Sequence, residues 1–91
     1  MKKKISVSKT FEGTVDEVRD EIKEGLSKRL EGLTSLKFTD TKDGIRVKGK
    51  GFDAEVTFEE ASGSVKTDCT VSLGLLLRPF ASKIEKELNN L

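Results

Sequence analysis

Apolar and polar residues alternate near the start of the chain, a period of two that is typical of a β-strand. Ile5, Val7 and Phe11 fall on one face, with Lys9 at the same parity, and hydroxyl residues fall on the other. Gly13 interrupts this alternation. The segment therefore predicts a strand with one mainly apolar face.

Beyond Gly13 the spacing of apolar residues changes to three and four, which predicts an amphipathic α-helix. Thr14 and Glu17 match a capping box, in which each side chain accepts a hydrogen bond from the other residue's backbone N–H. The apolar stripe comprises Val15, Val18, Ile22, Leu26, Leu30 and Leu33. We expect a helix of about five turns that ends near Gly32. We also expect Gly25 to mark a close approach to a strand of the sheet.

Four further alternating segments predict four strands, at 35–41, 45–51, 52–59 and 65–73. Asp43-Gly44 is a strong hairpin signal, and residues 60–63 indicate a second turn. Apolar residues share one parity in these strands, whereas charged and hydroxyl residues share the other. This division is typical of an antiparallel sheet that is covered on one side only. On the polar face, basic residues of the third strand should lie beside acidic residues of the fourth.

The longest apolar run, residues 71–80, joins the last strand to a C-terminal helix that has Pro79 in its first turn. The expected inner stripe of that helix is Leu76, Phe80, Ile84, Leu88 and Leu91, with Leu77 and Ala81 beside it. The order is thus β-α-β-β-β-β-α. We predict one α+β domain over residues 1–91, in which two helices lie on one face of a five-stranded antiparallel sheet. This layout resembles a single copy of the TATA-binding-protein-like or helix-grip architecture.

Composition excludes several function classes. Lys and Arg number 17 against 16 Asp and Glu, a balance that argues against a strongly basic nucleic-acid-binding protein. The sequence has no histidine and only Cys69, so the usual nitrogen and sulfur ligands of zinc and iron sites are missing. Lys2–Lys4 precede no apolar signal-peptide core, and no apolar run is long enough for a transmembrane helix. We therefore expect a soluble, cytoplasmic protein.

The residues offer no recognisable catalytic pattern. No nucleophile elbow is present, and a nucleophile would lack a histidine base. Cys69 falls at an inward strand position, which favours the role of a small buried hydrophobe. Gly49-Lys50-Gly51 lacks the phosphate-loop signature and a following helix. We predict a protein that is not an enzyme, without catalytic, cofactor-binding or metal-binding residues.

Several segments resemble the polyhydroxyalkanoic acid system (granule-associated) protein family. The resemblance rests on residues 51–56, 65–71 and 84–88 and on the Leu73-Gly74-Leu75-Leu76-Leu77 junction. Members often have a second glycine where Ala54 stands and a tryptophan near Phe38. The resemblance implies an accessory protein associated with polyester storage granules, and it implies no catalytic residues.

Two functions follow as hypotheses. The first is a non-enzymatic accessory or interaction domain whose apolar contact surface comprises Leu75, Leu76, Leu77 and Phe80. Three successive leucines cannot all point inward, so at least one is available to a granule, a partner protein or a second copy in a homodimer. The alternative is a small lipid- or acyl-binding module with a cavity of several hundred Å³ under the C-terminal helix, where Lys9 is a candidate polar group. The regular pattern also leaves open an engineered origin.

Overall fold

A computed structural model describes residues 3–91 and confirms the predicted order of elements. The strands are β1 (Lys3–Glu12), β2 (Lys37–Asp40), β3 (Gly44–Gly49), β4 (Phe52–Ala61) and β5 (Ser64–Leu73). The helices are α1 (Val15–Leu30) and α2 (Ala81–Asn89), and a 3₁₀ turn, Arg78–Phe80, precedes α2. None of the helices within residues 3–91 is long and apolar enough to cross a membrane.

The five strands form one antiparallel sheet in the order β1-β5-β4-β3-β2. The first strand pairs with the last along its whole length, from Lys3 opposite Leu73 to Glu12 opposite Ser64. Helix α1 therefore connects one edge of the sheet, β1, to the opposite edge, β2. This register places all the inward-facing positions of the strands on one face, where the helices cover them.

The apolar face and the helices enclose a single core. The buried apolar residues of α1 are Val18, Ile22, Leu26 and Leu30, and those of α2 are Ile84 and Leu88. The sheet and the junction supply Ile5, Ile45, Val47, Phe52, Ala54, Val56, Val65, Val71, Leu73 and Leu77. These positions agree with the predicted parities of the strands and the stripe of α1.

Helix α1 begins as predicted. Thr14 Oγ1 accepts a hydrogen bond from the Glu17 N–H at 3.2 Å, and Glu17 Oε1 accepts one from the Thr14 N–H at 3.1 Å. The helix ends earlier than expected, because Leu33 N–H and Thr34 N–H both turn back to the Leu30 carbonyl. It has 16 residues, about four and a half turns.

Gly25 was predicted to mark a close approach of α1 to a strand of the sheet, and this prediction was wrong. A Cβ added at this glycine would lie 2.7 Å from Leu91 Cδ2, so the close neighbour is the segment after α2 and not a strand.

Arg19 and Lys23 join α1 to the far half of the sheet. Arg19 donates a hydrogen bond to the Gly44 carbonyl, and its guanidinium lies 5.4 Å from the centre of the Phe58 ring. Asp40, on edge strand β2, lies 2.6 Å from Lys23 Nζ and 3.5 Å from Arg19. The hydrogen bond from Lys23 is the main cause of a lowered pKa at Asp40. These contacts hold the short strand β2 against the helix.

The outer face of the sheet is polar. The register places Arg46 opposite Glu55 and Lys48 opposite Asp53, as the sequence predicts for the third and fourth strands. Opposite charges at facing positions contribute about 0.2–1 kcal/mol for each pair. Because its side chains are charged or polar, the outer face of the sheet is suited to contact with water.

Candidate contact surface

The chain turns sharply after β5, and this turn decides which leucines are buried. Gly74 N–H donates to the Gly51 carbonyl at 2.9 Å, and the N–H groups of Leu77 and Arg78 both donate to the Gly74 carbonyl. Gly51 has a φ of +77°, a conformation that favours glycine, at the turn between β3 and β4. A Cβ at Gly51 would lie 3.2 Å from Leu76 Cβ. The β3–β4 turn thus holds the junction close to the sheet.

Two of the three successive leucines are exposed. Leu75 is 75% exposed and Leu76 is 58% exposed, whereas Leu77 is only 2% exposed. Phe80, in the 3₁₀ turn, is 42% exposed. We call Leu75, Leu76 and Phe80 the junction patch. They are the exposed large apolar side chains within residues 3–91.

The predicted surface is thereby corrected at one position. Leu77 belongs to the core. Leu76 and Phe80 were expected in the inner stripe of α2, but both are exposed. The physical reason is the 3₁₀ turn, which delays the start of α2 to Ala81 and changes the angular spacing of side chains before it. Only Ile84 and Leu88 of that stripe are buried, while Leu91 is half-buried.

A narrow apolar crevice lies between the sheet, α1 and α2. Its volume is about 20 Å³, which is room for one water molecule. The lining residues are Val7, Lys9, Phe11, Ile22, Leu26, Val56, Thr67, Cys69, Leu88 and Leu91. The ligand cavity of several hundred Å³ that was expected under α2 is not open in this conformation.

Lys9 lines this crevice and binds the C-terminal end of α2. Its Nζ donates to the backbone oxygen of Asn89 at 2.6 Å and to that of Leu91 at 2.7 Å. A cation at the C-terminal end of a helix also interacts favourably with the helix dipole. The sequence marked Lys9 as an inward-facing polar residue, but the oxygens that it binds are about 80 positions away along the chain.

Cys69 is a half-buried thiol beside the crevice. Burial raises its pKa from 9.0 to about 11, because the thiolate is poorly solvated there. The side chain is therefore protonated at neutral pH, as expected for a cysteine that serves as a small hydrophobe.

We expect Cys69 to react with iodoacetamide about 100-fold more slowly in the folded protein than in urea at pH 8, since the thiolate fraction falls tenfold for each unit of pKa. The pKa of Cys69 is higher in the folded than in the unfolded protein. The contribution of the neutral thiol to the free energy of unfolding is therefore complete below pH 9 and is lost as the pH rises through about 11. Mass spectrometry of timed samples measures the rate, and urea unfolding of Cys69→Ala provides the control for the alkaline loss. Equal rates in both states would contradict a thiol whose pKa is raised by the fold.

Gly49 is the last residue of β3, and Lys50 and Gly51 form the tight turn that leads to β4. The shallow depression beside it is lined by Asp53 as well as Lys48. A carboxylate beside the lysine does not favour phosphate binding. Within the described part of the chain, no three Cys, Asp or Glu side chains are grouped so that they could hold a metal ion.

The junction patch and the crevice are the two features that bear on function. They lie at different ends of the sheet: Lys9 is opposite Thr67, six residues or about 20 Å along β5 from Leu73.

Comparison of the chain with family models, with curated proteins and with solved structures found no match. Function is therefore inferred from the geometry of these two features and the residue chemistry.

Proposed function

We propose that this protein is a non-enzymatic interaction domain that attaches to an apolar surface through the junction patch. The observation that carries this proposal is the exposure of Leu75 and Leu76 next to the buried Leu77. A leucine run that only closed the core would not need two solvent-exposed members. Resemblance to the granule-associated family supports a polyester storage granule as that surface, and a cytoplasmic location would follow.

The junction patch is already ordered, so attachment would cost little conformational entropy. The hydrogen bond from Gly74 to Gly51 and the two bonds to the Gly74 carbonyl already hold the segment in place. Full burial of a leucine or phenylalanine side chain contributes about 1.5–3 kcal/mol. Three partly exposed side chains would contribute about 3–6 kcal/mol, a gain that fits weak, reversible binding to a surface.

Replacing Leu75 and Leu76 by aspartate should weaken attachment to polyhydroxyalkanoate particles by at least about tenfold, because two charges would have to lose their water. Co-sedimentation with the particles measures binding, and circular dichroism checks the fold. We expect the fold to be kept, since both side chains are exposed.

A matched control is Ser62→Asp with Ser82→Asp, which adds the same charge at exposed positions outside the patch. This control should bind like the original chain. Unchanged binding by the folded Leu75→Asp/Leu76→Asp variant would overturn the proposal.

Light scattering tests whether the partner is a second copy of the chain. If the same variant converted a dimer to a folded monomer, the junction patch would be a homodimer interface and not a granule-binding surface.

A further inference from the structure

Leu91 lines the apolar crevice and a second space beside it. Leu91 lines the crevice and also lines a neighbouring depression of about 160 Å³, and Phe11 and Ile22 line both spaces. The half-buried Leu91 side chain therefore borders both spaces.

Helix α1 makes room for this side chain at Gly25. A Cβ there would come within 2.7 Å of Leu91 Cδ2. Glycine inside a helix costs about 1 kcal/mol relative to alanine. The glycine leaves an apolar slot on the helix surface, which the segment after α2 fills.

Two cations bind oxygens at the end of α2 and just after it. Lys9 Nζ donates to the backbone oxygens of Asn89 and Leu91. Arg29 donates to the backbone oxygen of Asn90 and to the Glu87 carboxylate, and both of these distances are 2.9 Å. An apolar group in the crevice with two oxygens on an ammonium is the arrangement that a fatty carboxylate would adopt.

We propose that the crevice is a binding site for a single-chain alkyl carboxylate and that residues 89–91 compete for it from within the chain. The alkyl chain would take the place of Leu91 and extend from the crevice into the depression of about 160 Å³. The carboxylate would replace the Asn89 and Leu91 oxygens on Lys9. Together with the volume vacated by Leu91, these spaces approach the lower end of about 300 Å³ that is usual for small-molecule sites.

The charge of the site selects a carboxylate over a neutral head group. Lys9 would lose two acceptors when residues 89–91 leave, and a ligand with two oxygens would replace them. A carboxylate would accept both hydrogen bonds and add the attraction between opposite charges, which a neutral head group lacks. The site does not involve the junction patch, so its failure and the failure of the proposed function are separate outcomes.

The test is titration of the full chain with decanoate, followed by calorimetry and by NMR shifts of residues that line the crevice. Leu91→Ala removes the competing side chain and should tighten decanoate binding about fivefold. Lys9→Met removes the head-group partner and should weaken it about tenfold, while Lys9→Arg should restore most of the affinity. Decanol should bind more weakly than decanoate.

Lys83→Met, which removes an exposed lysine from the outer side of α2, is the matched control and should leave decanoate affinity unchanged. Opposite effects of Leu91→Ala and Lys9→Met distinguish competition from general destabilisation, which would shift both variants in one direction. Absence of binding to Leu91→Ala, equal binding of decanol, or shifts only around Leu75 and Phe80 would each overturn the proposal.

Discussion

Replacing Gly44 by alanine is expected to destabilise the protein by about 3 kcal/mol or more. An added Cβ would lie 1.7 Å from the Val56 carbonyl oxygen and 2.7 Å from its carbon. Both are backbone atoms of β4, so no side-chain rotation can relieve the clash. The β3–β4 pairing would have to shift, together with the Gly44 carbonyl that Arg19 binds.

Urea unfolding followed by circular dichroism measures this effect. A chain of this size typically has a stability of about 5–14 kcal/mol, so the expected loss is a large fraction of the total. Gly32→Ala is the matched control, since nothing lies within 4 Å of its added Cβ and its φ is not positive. The control should change stability by less than about 0.5 kcal/mol. If Gly44→Ala unfolded with the same midpoint as Gly32→Ala, the close packing of β3 on β4 would be refuted.

Leu77→Ala is expected to cost about 2–5 kcal/mol, because its side chain is buried and its removal leaves a cavity. Leu75→Ala, two residues earlier, should change stability by less than about 0.5 kcal/mol, since that side chain is exposed. Unfolding midpoints in urea provide both values. Similar costs for the two variants would show that the junction does not separate a core leucine from a surface leucine.

The contrast between Leu75 and Leu77 also bears on function. A segment that needed only to close the core would be stabilised by Leu77 and would gain nothing from Leu75. If Leu75→Ala keeps stability but weakens attachment, the exposed leucine serves binding alone. The two measurements together therefore separate the folding role of the junction from its proposed contact role.

Local patterns were sufficient to predict most of the fold. The capping box of Thr14 and Glu17 depends on residues three apart, and the inward parity of the strands depends on alternate residues. The Asp43-Gly44 signal placed the hairpin correctly, although residues 41–43 form the connection and Gly44 is the first residue of β3. These features involve neighbours in sequence, so α1, the five strands and their common apolar face followed from spacing alone.

The candidate sites depended on contacts that spacing does not encode. Leu77 is buried and Leu76 exposed because Gly74 binds Gly51, which lies more than twenty residues earlier. Gly25 contacts Leu91 because α2 returns across the sheet to α1.

The sequence by itself therefore determined the order of elements, the single apolar face of the sheet and the lack of histidine-based chemistry. The tertiary structure alone decided which junction leucines reach the surface, and it alone brought Lys9 and Arg29 to the end of α2. The physical reason is that periodicity sets which way a side chain points within its own element. Only packing between distant elements sets what that side chain meets.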